Sequence, residues 1–190
     1  MNLIAILISA MIINNIVLMQ FLGLCSFFGI STKMKPVIGM GLAVIVVMFL
    51  AALITYPIYY HILDPLNINY IDTIAFILVI ASLVQLTELV IKRVSKSVYK
   101  ALGVYLPLIA SNCAVLGVAL TNVAQPQTYA EALTFSLGSG IGFAFIMITF
   151  TAIRMRLATQ TVPKALKGMP IAFVTAGLMA LAFMGLAGII

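Results

Sequence analysis

The sequence predicts an all-α integral membrane protein, with six transmembrane helices arranged as two inverted three-helix repeats and with helices 1 and 4 interrupted. Three observations predict it. The 190 residues are 64% hydrophobic and only 7% charged, whereas roughly a quarter of a soluble domain is charged. The apolar residues gather in six stretches, near 3–31, 37–60, 71–91, 101–123, 130–153 and 170–190. Each is near or above the ~20 residues that a helix needs to cross ~30 Å of hydrocarbon. Finally, all ten Lys and Arg residues fall in alternate connections between the stretches. Without water to satisfy the backbone, helices are the spanning option at this length, and the ~10-residue alternating segments of a transmembrane barrel are absent from the sequence.

Stretch 1 (3–31) holds no charged side chain, and the first one in the chain is Lys33. No basic residue precedes it and no small-residue cleavage site ends it cleanly, so it is expected to stay in the mature protein. As one straight helix, residues 1–32 would run ~48 Å at 1.5 Å per residue, too far for the hydrocarbon without a break or a strong tilt. Asn14-Asn15, Gly23 and Gly29 are the candidate break points. Stretch 2 carries Gly39 and Gly41 and ends in Tyr56, Tyr59 and Tyr60, which with Tyr70 form an interfacial aromatic cluster. Stretch 3 contains Glu88. Stretch 4 contains Gly103, Pro107, Asn112 and Gly117, and Pro107 removes a backbone donor and disturbs the preceding turn. Stretch 5 carries Gly138, Gly140 and Gly142, and stretch 6 holds no charged side chain. The glycines of stretches 2 and 5 are expected to be close-packing contacts between helices.

Lys33 and Lys35 follow stretch 1; Lys92, Arg93, Lys96 and Lys100 follow stretch 3; Arg154, Arg156, Lys164 and Lys167 follow stretch 5. The two intervening connections carry Asp64, Asp72 and Glu131 and no Lys or Arg. Positive charge concentrates on the cytoplasmic side. Loops 1–2, 3–4 and 5–6 are therefore expected in the cytoplasm and both termini outside. The net charge of +6 is a topology signal, and no nucleic-acid partner is expected. His61 falls in an outer connection, where it is expected to be solvated.

Three landmarks recur in order in the two halves, 1–95 and 96–190, of what reads as a single membrane domain. Cys25-x-x-x-Gly29 recurs as Cys113-x-x-x-Gly117, an offset of 88; Gly39-Met40-Gly41 recurs as Gly138-Ser139-Gly140, an offset of 99; Ile74-Ala75-Phe76 recurs as Ile171-Ala172-Phe173, an offset of 97. Three helices per copy is an odd number, so the second copy crosses in the opposite sense. Inverted repeats place a functional site at the midplane, often built from interrupted helices.

Few chemically competent groups lie within the stretches. Glu88 is an acid inside a span, a functional-site candidate by default and here a candidate for ion coupling; one turn from Lys92, it equally suits an interfacial ion pair. Asn14, Asn15, Gln20 and Asn112 need partners, through helix–helix hydrogen bonds or a bound cation. Cys25 and Cys113 are the two cysteines of the chain. As buried thiols they could be inert small hydrophobes, a disulfide, or ligands to a soft metal such as zinc, copper(I) or an iron–sulfur cluster. An iron–sulfur cluster is usually held by four thiolates, so a second polypeptide would have to supply two.

Several blocks carry a resemblance. Asn14-Asn15-Ile16-Val17-Leu18-Met19-Gln20-Phe21-Leu22-Gly23-Leu24-Cys25, Ala75-Phe76-Ile77-Leu78-Val79-Ile80, Gln85-Leu86-Thr87-Glu88 and Leu106-Pro107-Leu108-Ile109 resemble the RnfA/NqrE family of membrane subunits. So do Ser111-Asn112-Cys113-Ala114-Val115-Leu116-Gly117, Ala152-Ile153-Arg154-Met155-Arg156 and Thr175-Ala176-Gly177-Leu178-Met179. The Asn14-Asn15 pair and the Asn112-Cys113 block place the chain nearer the RnfA branch. The resemblance implies a component of the Rnf complex, which passes electrons between ferredoxin and NAD coupled to Na+ or H+ movement across the bacterial or archaeal cytoplasmic membrane. It further implies that Cys25 and Cys113 supply two ligands of an intramembrane [2Fe-2S] cluster. The homologous RnfE-type subunit would supply the other two. The flavin subunits RnfD and RnfG and the cytoplasmic iron–sulfur subunit RnfB are the further implied partners. The chain would serve as a non-nucleotide-binding subunit of an oxidoreductase: no Gly-rich phosphate loop follows a strand, and no flavin-attachment site is evident. The readings set against this one are an NqrE-type subunit of the Na+-pumping NADH:quinone reductase, a secondary transporter with inverted repeats, and a scaffold with two inert cysteines.

Overall fold

The computed structural model describes residues 3–31, 33–63, 72–94, 108–109, 111–125, 127–160, 163 and 166–187. Asp64, Tyr70, Lys96, Lys100, Gly103, Pro107 and Lys164 lie outside them, as do the side chains of Glu88 and Lys92. The described residues form helices and connections with no strand. The helices are α1 (Leu3–Ile8), α2 (Ile16–Met19), α3 (Leu24–Ile30), α4 (Met34–Ile58), α5 (Asp72–Val94), α6 (Cys113–Ala124), α7 (Tyr129–Ala158) and α8 (Met169–Ala187). Two π-helical turns, Ser9–Ile13 and Tyr59–Leu63, extend α1 and α4.

Among the described residues, two elements are long and apolar enough to cross a membrane as single helices: Met34–His61, with 28 residues, and Tyr129–Ala158, with 30. They pack against each other as the spine of the fold. Small residues permit the approach. A Cβ on Gly41 would stand 3.0 Å from Ala144 Cβ, and one on Gly140 would stand 3.1 Å from Ile45 Cα. α1 and its π turn lie on the other face of α7: a Cβ on Gly138 would meet Leu7 O at 2.8 Å, and one on Gly142 would meet Met11 O at 2.7 Å. The close-packing expectation for these glycines therefore holds. Lipid tails are as apolar as the core side chains, so packing rather than water exclusion holds such an interface together.

Stretch 1 is interrupted twice. The π turn ends at Asn14 (φ −95°, ψ 46°), and Asn15 (φ −67°, ψ 118°) leaves helical geometry to cap α2. A second break runs through Gln20–Gly23, with Phe21 at φ 55° and Gly23 at φ 84°. The second value belongs to the left-handed region that glycine enters without steric cost. Gly29, a candidate break point by sequence, lies inside α3 and has open space where a Cβ would be. Gly117 likewise lies inside α6, packed against Leu22 and Ile16. The break before α6 falls instead at Ser111-Asn112. His61 sits, exposed, in the π turn that prolongs α4 rather than in a loop.

An aromatic cluster fastens α3 to α7. Phe27 stacks on Phe150 with ring centroids 4.2 Å apart, and Phe28 meets Phe150 edge-on at 5.8 Å. At the other end of the bundle, Tyr56 packs against Tyr60 and Tyr129 and donates its hydroxyl to Gln127 O. This tyrosine group lies near the acidic connection, as expected of an interfacial cluster.

Candidate metal centre

The two broken segments meet, and the cysteines meet with them. Cys113 is the first residue of α6, and Cys25 is the second residue of α3. Both thiols are free, Cys25 exposed and Cys113 half-buried. The Cys25 and Cys113 thiols lie within electrostatic reach of each other. The backbone N–H of Gly23 donates to Cys113 Sγ over 2.9 Å. Residues 90 positions apart in the chain thus share one bond.

Local geometry explains the convergence. Gly23 turns the chain in the left-handed region, and its carbonyl accepts from Phe27 N at 3.1 Å and Ser26 Oγ at 2.9 Å. With its carbonyl engaged in α3, its N–H is left pointing at sulfur. A side chain there would collide: an added Cβ would stand 2.7 Å from Phe143 and 3.1 Å from Ala114 Cβ.

Two asparagines fix the helices that carry the site. Asn15 Oδ1 accepts from Val17 N at 3.1 Å, while its Nδ2 donates to Met11 O at 3.1 Å, so one side chain closes both ends of the break. Asn112 Oδ1 accepts from Ala114 N at 3.1 Å in the same cap geometry (φ −73°, ψ 111°). Asparagine at this position satisfies an amide that the first helical turn leaves orphaned. The two caps stand 97 residues apart, matching the 97 and 99 of the other landmarks, whereas the Cys-to-Cys spacing of 88 is out of step. Each of the two helices opens on an asparagine cap.

Sequence reasoning also misses Arg154, which it marks only as a topology charge. Its Nη1 donates to Phe28 O at 3.1 Å and Ser31 Oγ at 2.7 Å, and so holds the C-terminal end of α3. Glu88 falls within α5. Among the described residues no group of three or more His, Cys, Asp and Glu side chains gathers to hold a metal ion. The candidate donors here are the two free thiols.

Two adjacent free thiols, one of them on an exposed residue, fit half of a four-thiolate shell. Two sulfurs can bind on one face of a cluster and leave the rest to ligands from elsewhere.

The family described as "Rnf-Nqr subunit, membrane protein" matches residues 3–190. The chain is similar to the A component of the Na(+)-translocating ferredoxin:NAD(+) oxidoreductase complex of Acetobacterium woodii, 55% identical over 188 residues, covering 99% of this chain and 98% of the relative. It is also similar to the A components of complexes named ion-translocating oxidoreductase: in Alcanivorax borkumensis, 51% identical over 97% of this chain and 96% of the relative, and in Syntrophotalea carbinolica, 47% identical over 100% and 98%. With an all-helical fold and apolar helices of spanning length, a family match over nearly its whole length and relatives matched end to end, the chain belongs to the Rnf-Nqr family of membrane subunits.

Proposed function

We propose that this chain is the RnfA-type component of an ion-translocating ferredoxin:NAD oxidoreductase complex, in which Cys25 and Cys113 hold one side of an intramembrane [2Fe-2S] cluster shared with a homologous subunit. The observation that carries the reading is the bond from Gly23 N–H to Cys113 Sγ, which brings Cys113 to the turn just before Cys25, both thiols being free and Cys25 exposed. The names of the relatives support the complex and its coupling to ion movement. Bound there, a [2Fe-2S] cluster would supply a one-electron relay. The chain's own residues would hold it: Cys25 and Cys113 as ligands, Gly23 as an N–H donor to sulfur. Hydrogen bonds to cluster sulfurs set the reduction potential.

In this reading the six stretches form two inverted repeats, with the Asn15 and Asn112 caps as equivalent points. The basic loops face the cytoplasm and both termini face outside. The RnfE-type subunit covers the exposed Cys25 and completes the ligand shell. The cluster would relay electrons between RnfB on the cytoplasmic side and the flavin subunits RnfD and RnfG on the outer side. Glu88 is assigned to ion coupling; full pumping by Glu88→Gln would leave it as the partner of Lys92. A transporter acting alone would not need the thiols.

The experiment is iron analysis and EPR spectroscopy on this chain co-purified with its homologous partner, and on the chain alone. A [2Fe-2S] signal is expected only from the pair. An NqrE-type role would instead give quinone reduction in place of NAD reduction by the assembled complex.

A further inference from the structure

Arg154 and Lys167 come together at the basic end of the bundle, where α7 gives way to α8. A pocket of about 270 Å³ opens there, with Arg154, Leu157, Gln160, Lys167, Gly168 and Ile171 among its lining residues. None of the described lining residues is acidic. Glu131 stands at the far end of α7, in its first turn.

Arg154 is half-buried and has only neutral partners. Nη1 is engaged by Phe28 O and Ser31 Oγ, whereas Nη2 has one weak acceptor, Met169 Sδ at 3.9 Å. A guanidinium withdrawn from bulk water favours an anion, and its planar fork matches the oxygens of a phosphate. Lys167 is exposed, on the turn that leads into α8. That helix begins at Met169, directly after the lining residue Gly168, so the positive end of its dipole adds to the field.

The pocket opens onto an apolar track. Ile171, a lining residue, is followed along α8 by Val174, Leu178 and Leu181, all exposed. With the period of an α-helix the four fall within a sector of about 80°. A positive pocket continued by an apolar strip matches an amphiphile with an anionic head. A zwitterionic head would bring its own cation to a site lined by two, and a free phosphate would leave the strip without a role.

We infer that Arg154 and Lys167 bind the phosphate of an anionic phospholipid, whose acyl chain lies along Ile171, Val174, Leu178 and Leu181 of α8. Basic pockets between membrane helices suit such head groups. The site needs neither the cluster nor the coupling to ion movement. Because the same guanidinium fastens α3, lipid at Nη2 reaches the helix that carries Cys25.

The test uses the purified complex with phosphatidylglycerol carrying a diazirine in its acyl chain, and with phosphatidylcholine carrying the same group, followed by photolysis and peptide mapping. The expected result is labelling of residues 171–181 at least about tenfold stronger with the anionic lipid. One basic group near an anionic head corresponds to about fivefold, so Lys167→Gln should lower the ratio by that much. Lys167 is exposed, and its replacement leaves the bonds from Arg154 to α3 in place. Arg156→Gln removes a charge from the same end of α7 but outside the pocket, and should lower the ratio far less. Equal labelling by the two lipids, an unchanged ratio in Lys167→Gln, or an equal fall in Arg156→Gln would overturn the site. Inorganic phosphate equimolar with the lipid is the competitor: undiminished labelling supports the lipid, and displacement would overturn it in favour of a free anion.

Discussion

The backbone N–H of Gly23 donates to Sγ of Cys113 across 2.9 Å. That bond ties the turn before α3 to the first residue of α6, and it brings Cys25 beside Cys113. Everything that shapes the turn therefore shapes the thiol pair.

Gly23→Ala is expected to disturb the site without removing a ligand. Alanine at φ 84° is strained, and its Cβ would press on Phe143 at 2.7 Å. Left-handed geometry costs a non-glycine residue about 1–2 kcal/mol. The N–H would move off sulfur, so the EPR spectrum and reduction potential of the complex should change together. An unaltered potential in a fully loaded Gly23→Ala complex would remove the N–H···S bond from the account.

Asn112→Ala should lower stability by about 1 kcal/mol, the usual worth of an N-cap, and Asn112→Ser should restore most of it. The cap accepts from Ala114 N directly behind Cys113. Iron content should follow the same order: wild type, Ser, then Ala. Thermal unfolding of the detergent-solubilised chain, followed by circular dichroism, reads the first effect, and iron per complex reads the second.

Arg154→Ala removes donors to Phe28 O and Ser31 Oγ. Hydrogen bonds from charged groups contribute about 1.5–3 kcal/mol each, so α3 should loosen at its C-terminal end. Amide hydrogen exchange should rise across residues 27–31 and stay level in α6. Arg154→Lys should rescue only part, because one ammonium lacks the planar fork of the guanidinium. Equal exchange in wild type and Arg154→Ala would show that the stacked Phe27 and Phe150 hold α3 unaided.

Gly142→Ala should be far more harmful than Gly177→Ala. A Cβ at 142 would meet Met11 O at 2.7 Å and Asn15 Nδ2 at 2.8 Å, whereas at 177 nothing stands within 4 Å. The first displaces the π turn and the Asn15 staple; the second gains helix propensity of roughly 0.5–1 kcal/mol. Melting temperatures of the two variants in detergent check the contrast.

The helical membrane class, the long apolar helices of stretches 2 and 5 and the close packing of Gly138, Gly140 and Gly142 are legible in the sequence, because composition and small-residue spacing carry them directly. So are the two cysteines and the break at Asn14-Asn15. Gly29 and Gly117 mislead, because a glycine inside a membrane helix marks a break and a packing contact with the same letter; only the neighbours decide, and Gly117 has Leu22 against it. The resemblance implies that Cys25 and Cys113 meet, but the local geometry that brings them together is not legible, since it depends on the φ of Gly23 and on where α6 begins. Arg154 is hidden for a related reason: its sequence position announces a membrane boundary, and its bonds to Phe28 and Ser31 lie more than 120 residues away.

The central claim is that Cys25 and Cys113 are half of one cluster site. It is tested most directly by EPR of the reduced complex carrying Cys25→Ser or Cys113→Ser, each compared with wild type and with its assembly verified. Loss of the intramembrane [2Fe-2S] signal, together with loss of ferredoxin-dependent NAD reduction, is the predicted result for each single variant. Retention of both signal and reduction by either assembled variant would contradict it.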